Sequence, residues 1–368
     1  MKILHYIPSF WIGGIETLFM QWFNISKETK DIEIELLVSS ARRSSSNLDD
    51  YIGNGGNVYS IEPNSLRNIY KHYRSVNDFL GAYNNFDIIH AHGIWDYYLF
   101  KKAYDYGIKV VYHAHSIKNT FDCLNISDWV WSFQNIIARK YVYSFIACSE
   151  IAGLSQFGRR PFIVLNNTIP SVNYRFNSEI RNKYREDLKL SNNTVAIGHI
   201  GRMVSDKNYP FLIGVFAEIS KKIDDVQFFI VGDGPELSNV KRIAKDNMIL
   251  SKINFMGLRD DIPCIMQALD GIVFPSKKEG FGIVPIEAQA ASLPCVMADS
   301  IPENVVYSNY AMRLPLQRGK NYWASVMLGL LPLQRKDMYR LTKEAGFDCY
   351  TEWNNLLDIY IGIINGKQ

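Results

Sequence analysis

Two glutamates, Glu279 and Glu287, flank a glycine-bounded turn in VFPSKKEGFGIVPIEAQAA (273–291). The apolar run before them ends at Pro275. Gly280, Phe281, Gly282 and Ile283 follow, and the next segment has the character of a helix that carries Glu287. Ionised carboxylates only accept hydrogen bonds, so this pair suits the hydroxyls of a sugar or a ribose. The turn offers backbone N–H groups at a helix start, where the helix dipole favours an anion. The stretch therefore points to a nucleotide-sugar site rather than a simple phosphate cradle.

Cations that could meet phosphates stand in AIGHIGRMVSDKN (196–208), where Arg202 and Lys207 follow an apolar run. Arg forks across two oxygens and Lys acts as a point charge, so together they can hold a diphosphate from two sides. An exposed turn with ordinary surface charges is the structural alternative. Two further turns lie in the same half: Gly232, Asp233, Gly234 and Pro235 after FFIV, and Gly257, Leu258 and Arg259 after INFM. Gly232 and Arg259 are the donor-site candidates there. Backbone geometry accounts equally well for the glycines, and an Asp capping the next helix for the Arg259 loop.

Nearer the N-terminus, Gly13 and Gly14 lie in SFWIGGIE between a strand and a helix. Paired glycines permit close backbone approach to a ligand. The G-x-G-x-x-G spacing is missing, which counts against a dehydrogenase. His90 and His92 in DIIHAHG, and His113 and His115 in VVYHAHS, form two H-x-H pairs at strand ends. Residues two apart on a strand share a face, so one pair could supply two metal ligands. No carboxylate or cysteine cluster completes such a set and no D-x-D occurs, so no metal is expected. One histidine is read as lining a cleft and another as buried and satisfied. Neither G-x-S-x-G nor a P-loop is present.

These residues need elements to position them. Short apolar, strand-like runs alternate with helix-like segments: 3–7, 34–38, 88–91, 110–113, 145–148 and 163–165, then 196–200, 228–231, 253–255, 271–274 and 294–297. Nearly continuous apolar runs are expected where helices cover both faces of a parallel sheet. The pattern predicts doubly wound α/β domains. At 368 residues two domains are expected, with the break in the charged, strandless stretch 170–192. The predicted division is an N-terminal domain over 1–172 and a C-terminal domain over 173–349 that holds the nucleotide-sugar candidates. Apolar spacing at Tyr350, Trp353, Leu356, Leu357 and Tyr360 predicts a terminal helix, about 350–368, packing back on the first. Residues 301–335 give no assignable pattern.

A formal net charge of +3 leaves no ground for a nucleic-acid partner. The cysteines (123, 148, 264, 295 and 349) are scattered and odd in number, which favours a reducing compartment over a disulfide framework. The first apolar run is too short for a signal peptide, and none reaches the ~20 residues that span a bilayer. A cytoplasmic protein is expected. Trp129, Trp131, Phe133, Ile136 and Ile137, with Arg139 and Lys140, are open to two readings: a peripheral contact with the inner membrane face, or a core helix.

Taken together, GGIE, DIIHAHG, ACSEIAG with FIVLNN, IGHIGRMVSDKN, VGDGP, GLRDDIP, FPSKKEGFGIVPIEAQAASLPC and ADSIP resemble the family 4 glycosyltransferases of GT-B architecture. The resemblance spans about residues 1–305 and is nearest to the subgroup of bacterial exopolysaccharide and capsular polysaccharide biosynthesis. It implies two Rossmann-like domains facing across a cleft, the N-terminal one on the acceptor side. It also implies a retaining transfer from a nucleotide-diphosphate sugar, UDP-linked by preference, to a hydroxyl of a glycan or lipid-linked oligosaccharide. No metal or cofactor is required by it. Arg202 and Lys207 match the diphosphate-binding pair, Glu279 the carboxylate facing the donor sugar, and Glu287 the one holding the ribose. Gly13 and Gly14 match the turn that abuts the phosphates. His115 best matches the histidine near the donor sugar, with His113 still allowed by spacing. The implied catalytic set is His115, Arg202, Lys207 and Glu279.

Two other classes stay in view. A non-catalytic sugar-nucleotide-binding partner of another transferase should have lost some of Arg202, Lys207, Glu279 and Glu287. A GT-B-like epimerase or phosphorylase needs a base beside the sugar or a pyridoxal lysine, and no sequence context for either is found.

Overall fold

The structure, a computed structural model, describes residues 1–10, 14–29, 31–39, 46–65, 67–115, 134–279, 281–331 and 334–366. The chain forms two compact units, Met1–Asn167 with Cys349–Gln368, and Thr168–Asp348. The sequence reading places its divisions at 172/173 and 349/350.

The first unit is built on a parallel sheet: β1 (Lys2–Tyr6), β2 (Glu33–Ser39), β3 (Val58–Ile61), β4 (Ile88–His92), β5 (Lys109–Ala114), β6 (Val142–Ala147) and β7 (Ile163–Val164). Their order is β3-β2-β1-β4-β5-β6-β7, so the order reverses between β1 and β4. β1 and β4 are buried almost throughout because helices cover both faces. On one face the helix Gly14–Ser26 supplies Leu18, Phe19, Trp22 and Phe23 to the core. The helix Cys349–Ile364 adds Trp353, Leu356, Tyr360 and Ile363, spaced three and four apart as one buried stripe requires. Tyr350, counted in that stripe from sequence, instead faces solvent.

The second unit carries β8 (Val195–Ile200), β9 (Val226–Val231), β10 (Ile253–Gly257), β11 (Gly271–Phe274), β12 (Cys295–Ala298) and β13 (Ala311–Leu314). They are parallel, in the order β10-β9-β8-β11-β12-β13, and the reversal falls between β8 and β11. Ligands of open α/β sheets bind beyond the strands' carboxyl ends at such a switch point. Phe216 and Phe228 stack at 4.3 Å in its core. Both units are thus doubly wound, Rossmann-like domains.

Two strands escaped the sequence reading. β3 is four residues long and mostly half-buried, and β13 is an edge strand interrupted by Arg313, so neither shows a continuous apolar run. The unassigned stretch also holds the helix Lys320–Gly329, which buries Trp323 with its indole N–H on Pro315 O at 3.0 Å. The charged stretch 170–192 contains the helix Ser178–Asp187, whose first N–H groups are capped by Asn177 Oδ1. Its charge has a structural use: Arg181 and Arg185 both reach Asp270, at 2.6 and 3.3 Å.

Candidate functional site

The loops that leave β8 and β11 flank the switch point of the second unit and carry three of the four implied catalytic residues, Arg202, Lys207 and Glu279. After β8, Gly201 N–H still bonds Val231 O at 2.9 Å, and Met203 N–H bonds Asp233 O at 2.8 Å while its side chain turns inward. Arg202 between them is exposed, and its guanidinium has no ion-pair or hydrogen-bond partner among the described residues. A short 3-10 turn, Ser205–Lys207, ends at Asn208 in the left-handed region (φ 57°). Asn208 Nδ2 holds Pro275 O at 3.2 Å, and Lys277 N–H holds Asp206 O at 2.7 Å, so the β8 and β11 loops are laced together.

That lacing brings Lys207 onto Glu279. Lys207 Nζ bonds Glu279 Oε1 directly, with both side chains largely withdrawn from solvent, and lies 4.7 Å from the Phe274 ring centroid. Gly232 belongs to the turn after β9. At its φ of 131° an added Cβ would stand 2.1 Å from Gly201 O, and its N–H is already given to Gly257 O at 2.8 Å. Gly232 therefore supports the Arg202 loop through close packing, and its amide is not free for a ligand.

Glu287 lies on the helix Ile283–Ala290, which begins at Gly282 (φ 97°). Its Oε1 accepts from Tyr174 OH at 2.6 Å. Protein atoms packed around the carboxyl push it up to about 7, although the Tyr174 hydrogen bond acts the other way. Ile283 is half-buried in the first turn. Phe281 is buried against Phe347, with ring centroids 5.9 Å apart, so only its backbone can serve a ligand. Gly280 and Gly13 lie outside the described residues, and Gly14 opens an exposed helix start.

Arg259 is paired within its own loop. Asp261 takes its Nε at 2.8 Å and its Nη2 at 2.5 Å, and also accepts from Tyr184 OH at 2.9 Å. As the sequence alternative has it, Asp261 stands at the N-cap position of the helix Ile262–Ala268, but its carboxylate bonds no helix N–H. Tyr174 is the site residue that sequence reasoning missed. It sits in the stretch taken for an interdomain break, and only its contact with Glu287 reveals it.

In the first unit, His115 follows β5 and closes a row with His5, His90, His92 and His113. All four of its companions are buried, and His115 is half-buried. His5, His90 and His92, and again His92, His113 and His115, bring one ring nitrogen each to within 4.8 Å of one another. These are the described residues that could hold a metal ion. Trp129, Trp131 and Phe133 of the proposed membrane contact lie outside the described residues; Ile136 is exposed.

The family described as "Glycosyl transferases group 1" matches residues 180–311, which include Arg202, Lys207, Glu279 and Glu287. The chain is 26% identical to "Putative glycosyltransferase EpsF" of Bacillus subtilis (strain 168), covering 98% of this chain and 96% of that one. It is 34% identical to UDP-Gal:alpha-D-GlcNAc-diphosphoundecaprenol alpha-1,3-galactosyltransferase of Escherichia coli, over 33% of this chain and 32% of that one. Among solved structures it is similar to Anabaena HepE in complex with UDP and glucose (TM-score 0.78, 19% identity, 98% of this chain and 99% of that one). A glycosyltransferase from Rickettsia africae superposes with a TM-score of 0.77 at 17% identity, over 100% and 99% of the two chains. Both strand orders and these matches agree: residues 180–311 match a glycosyl transferases group 1 domain, and the chain has the GT-B fold of the solved glycosyltransferases.

Proposed function

We propose that the protein is a retaining, metal-independent glycosyltransferase that moves a sugar from a nucleotide-diphosphate donor to a hydroxyl of a glycan or lipid-linked oligosaccharide. The observation that carries this reading is the Lys207–Glu279 pair beside exposed Arg202 at the β8/β11 switch point. Departure of a nucleoside diphosphate develops negative charge, and fixed cations stabilise it electrostatically. Losing one such contact costs about 3 kcal/mol of transition-state stabilisation. Arg202 and Lys207 take the diphosphate, Glu279 the donor sugar and Glu287 the ribose. His115 contributes a contact with the transferring sugar. The leaving phosphate or a neighbouring group accepts the acceptor's proton in a same-face attack.

A UDP-linked donor is favoured, since similar proteins are named for UDP-sugar transfer or hold UDP. The name of the Escherichia coli relative supports a lipid-linked acceptor. Surface polysaccharide synthesis of the family 4 type rests on the motif resemblance alone. No helix among the described residues is long and apolar enough to cross a membrane. We place the enzyme in the cytoplasm.

Thermal shift with UDP, GDP and ADP, followed by slow hydrolysis of single nucleotide sugars, tests the reading. Stabilisation by one diphosphate and release of its sugar are expected. No stabilisation by any of the three sinks it, and binding without hydrolysis or transfer moves the protein to the non-catalytic class.

A further inference from the structure

Parallel register assembles the histidine row: His5 pairs with His90 across β1 and β4, and His92 with His113 across β4 and β5. Alternation along each strand keeps His90 with His92, and His113 with His115, on one face. His90 stacks on His92 at 4.4 Å and 8°, while His92 and His115 lie side by side, with centroids 5.1 Å apart and planes at 14°. Trp22 lies against the row, 5.9 Å from His90 and 6.0 Å from His92.

Three of these rings also join edge to edge. His5 Nδ1 meets His92 Nε2 at 2.9 Å, His92 Nδ1 meets His115 Nε2 at 2.9 Å, and His115 Nδ1 faces Asn167 Oδ1 at 3.4 Å. Two ring nitrogens 2.9 Å apart share one proton. A neutral imidazole has one donor and one acceptor, so fixing either end fixes the polarity of the whole chain. Both ends can be read. An amide oxygen only accepts, so His115 donates through Nδ1. At the other end His5 Nε2 is buried without a partner among the described residues, and an orphaned lone pair is tolerated better than an orphaned N–H. The two ends agree on Nδ1–H for all three rings.

We infer that His92 and His5 are positioning residues that hold His115 in the Nδ1–H tautomer, making His115 a hydrogen-bond donor to the sugar and not a base. This rests on the contact assigned to His115 above. Its Nε2 is committed to His92. Its Nδ1–H has only the long 3.4 Å link to Asn167, which a sugar oxygen can replace. Burial lowers His115 to about 4 and His5 to about 3, and holds His92 well down, so the chain is uncharged at neutral pH. A metal ion is the competing occupant. Ligand nitrogens around a tetrahedral ion stand about 3.3 Å apart, at metal–nitrogen distances near 2.0 Å. The 2.9 Å contacts are shorter, and each nitrogen along the chain aims at its neighbour.

Long-range 1H–15N correlation spectra of the 15N-histidine-labelled full chain, without ligand, read each ring's tautomer; the His115 signal is identified by its loss in His115→Gln. The expected result is an Nδ1–H pattern at His115 that does not titrate near pH 6.5. An Nε2–H pattern there, a titration near pH 6.5, or stoichiometric metal by mass spectrometry overturns the inference. His5→Leu removes the terminal donor, whereas His5→Asn keeps an N–H donor near Nδ1. In hydrolysis of the accepted nucleotide sugar, kcat falls about tenfold in His5→Leu at nearly constant KM and recovers in His5→Asn. Equal losses in both variants, or a change in KM alone, overturn it. Unchanged turnover in His115→Ala removes the contact assigned to His115, and with it the purpose of the chain, while the spectra decide the tautomer separately.

Discussion

Tyr174 donates its hydroxyl to Glu287 Oε1 at 2.6 Å, and this single bond opposes the burial that lifts the Glu287 carboxyl to about 7. An ionised carboxylate holds ribose hydroxyls more strongly than a neutral acid does, so nucleotide binding should weaken as pH falls below about 7, by at most about tenfold per pH unit. Titration calorimetry with UDP between about pH 5.5 and 8.5 measures it. Glu287→Gln should flatten the profile, and Tyr174→Phe should move its midpoint upward, because the bond it removes holds the value down. For folding, a carboxyl raised in the native state contributes stability that is full below about 4.5 and lost as pH rises through about 7. Glu287→Gln should therefore remove that loss. A pH-independent UDP affinity in the parent protein would separate Glu287 from the ribose.

The Lys207–Glu279 pair makes a different demand on the ligand. A diphosphate must draw Lys207 away from a carboxylate that already holds it. Lys207→Ala should cut UDP affinity about 10–100-fold, the loss of one charge-assisted bond of about 1.5–3 kcal/mol. Glu279→Gln should leave that affinity unchanged or improve it, because the ammonium is released, while turnover falls. A parallel loss of affinity in both variants would mean that the pair binds nucleotide as a unit. Calorimetry on the two single variants and the double variant separates the cases.

A buried ion pair in the first unit sets a further pH dependence. His72 Nε2 meets Asp96 Oδ1 at 3.1 Å, and His72 Nδ1 meets Glu62 O at 2.7 Å. Burial disfavours the imidazolium, yet the Asp96 hydrogen bond and charge and the Glu62 carbonyl together raise His72 above its ordinary value. Asp96 also caps the helix Tyr97–Asp105 through Leu99 N–H and accepts from Tyr6 OH. The pair's stabilisation should be complete below about pH 6.5 and decline as pH rises through the raised value. Urea melts of His72→Gln should show that slope abolished, with a loss of about 3 kcal/mol near pH 6 from an unpaired buried carboxylate. An unchanged slope would assign the pH dependence elsewhere.

What the sequence disclosed follows from how local each feature is. Strands such as IIHAH and VQFFIV announce themselves because helices cover both faces and the apolar run is nearly continuous. The order of those strands in each sheet is not a local property, and neither is the lacing of Asn208 to Pro275 that sets Lys207 against Glu279. Arg259 reads from sequence only as a donor-site candidate in a loop after a strand, and the pairing of its side chain with Asp261, two residues on, shows only in the structure. Tyr174 and Glu287 are far apart in the chain, so no spacing links them. Phe281 sits in the middle of the most informative motif, and only the packing shows that its ring belongs to the core.

Two glycine replacements test whether the turn after β9 governs the Arg202 loop. Gly232→Ala would need a Cβ 2.1 Å from Gly201 O at a φ of 131°, which side chains rarely adopt. Backbone must shift, and the expected stability loss is about 1–3 kcal/mol. Because the obstructing carbonyl belongs to the residue before Arg202, UDP affinity should fall with it. Gly362→Ala is the control: it lies in the helix Cys349–Ile364 with nothing within 4 Å of an added Cβ. There the change should raise stability by about 0.5–1 kcal/mol and leave nucleotide binding untouched. Thermal melts with and without UDP give both quantities. If Gly232→Ala loses stability but binds UDP as the parent does, the turn serves the fold alone and Arg202 is positioned by other contacts.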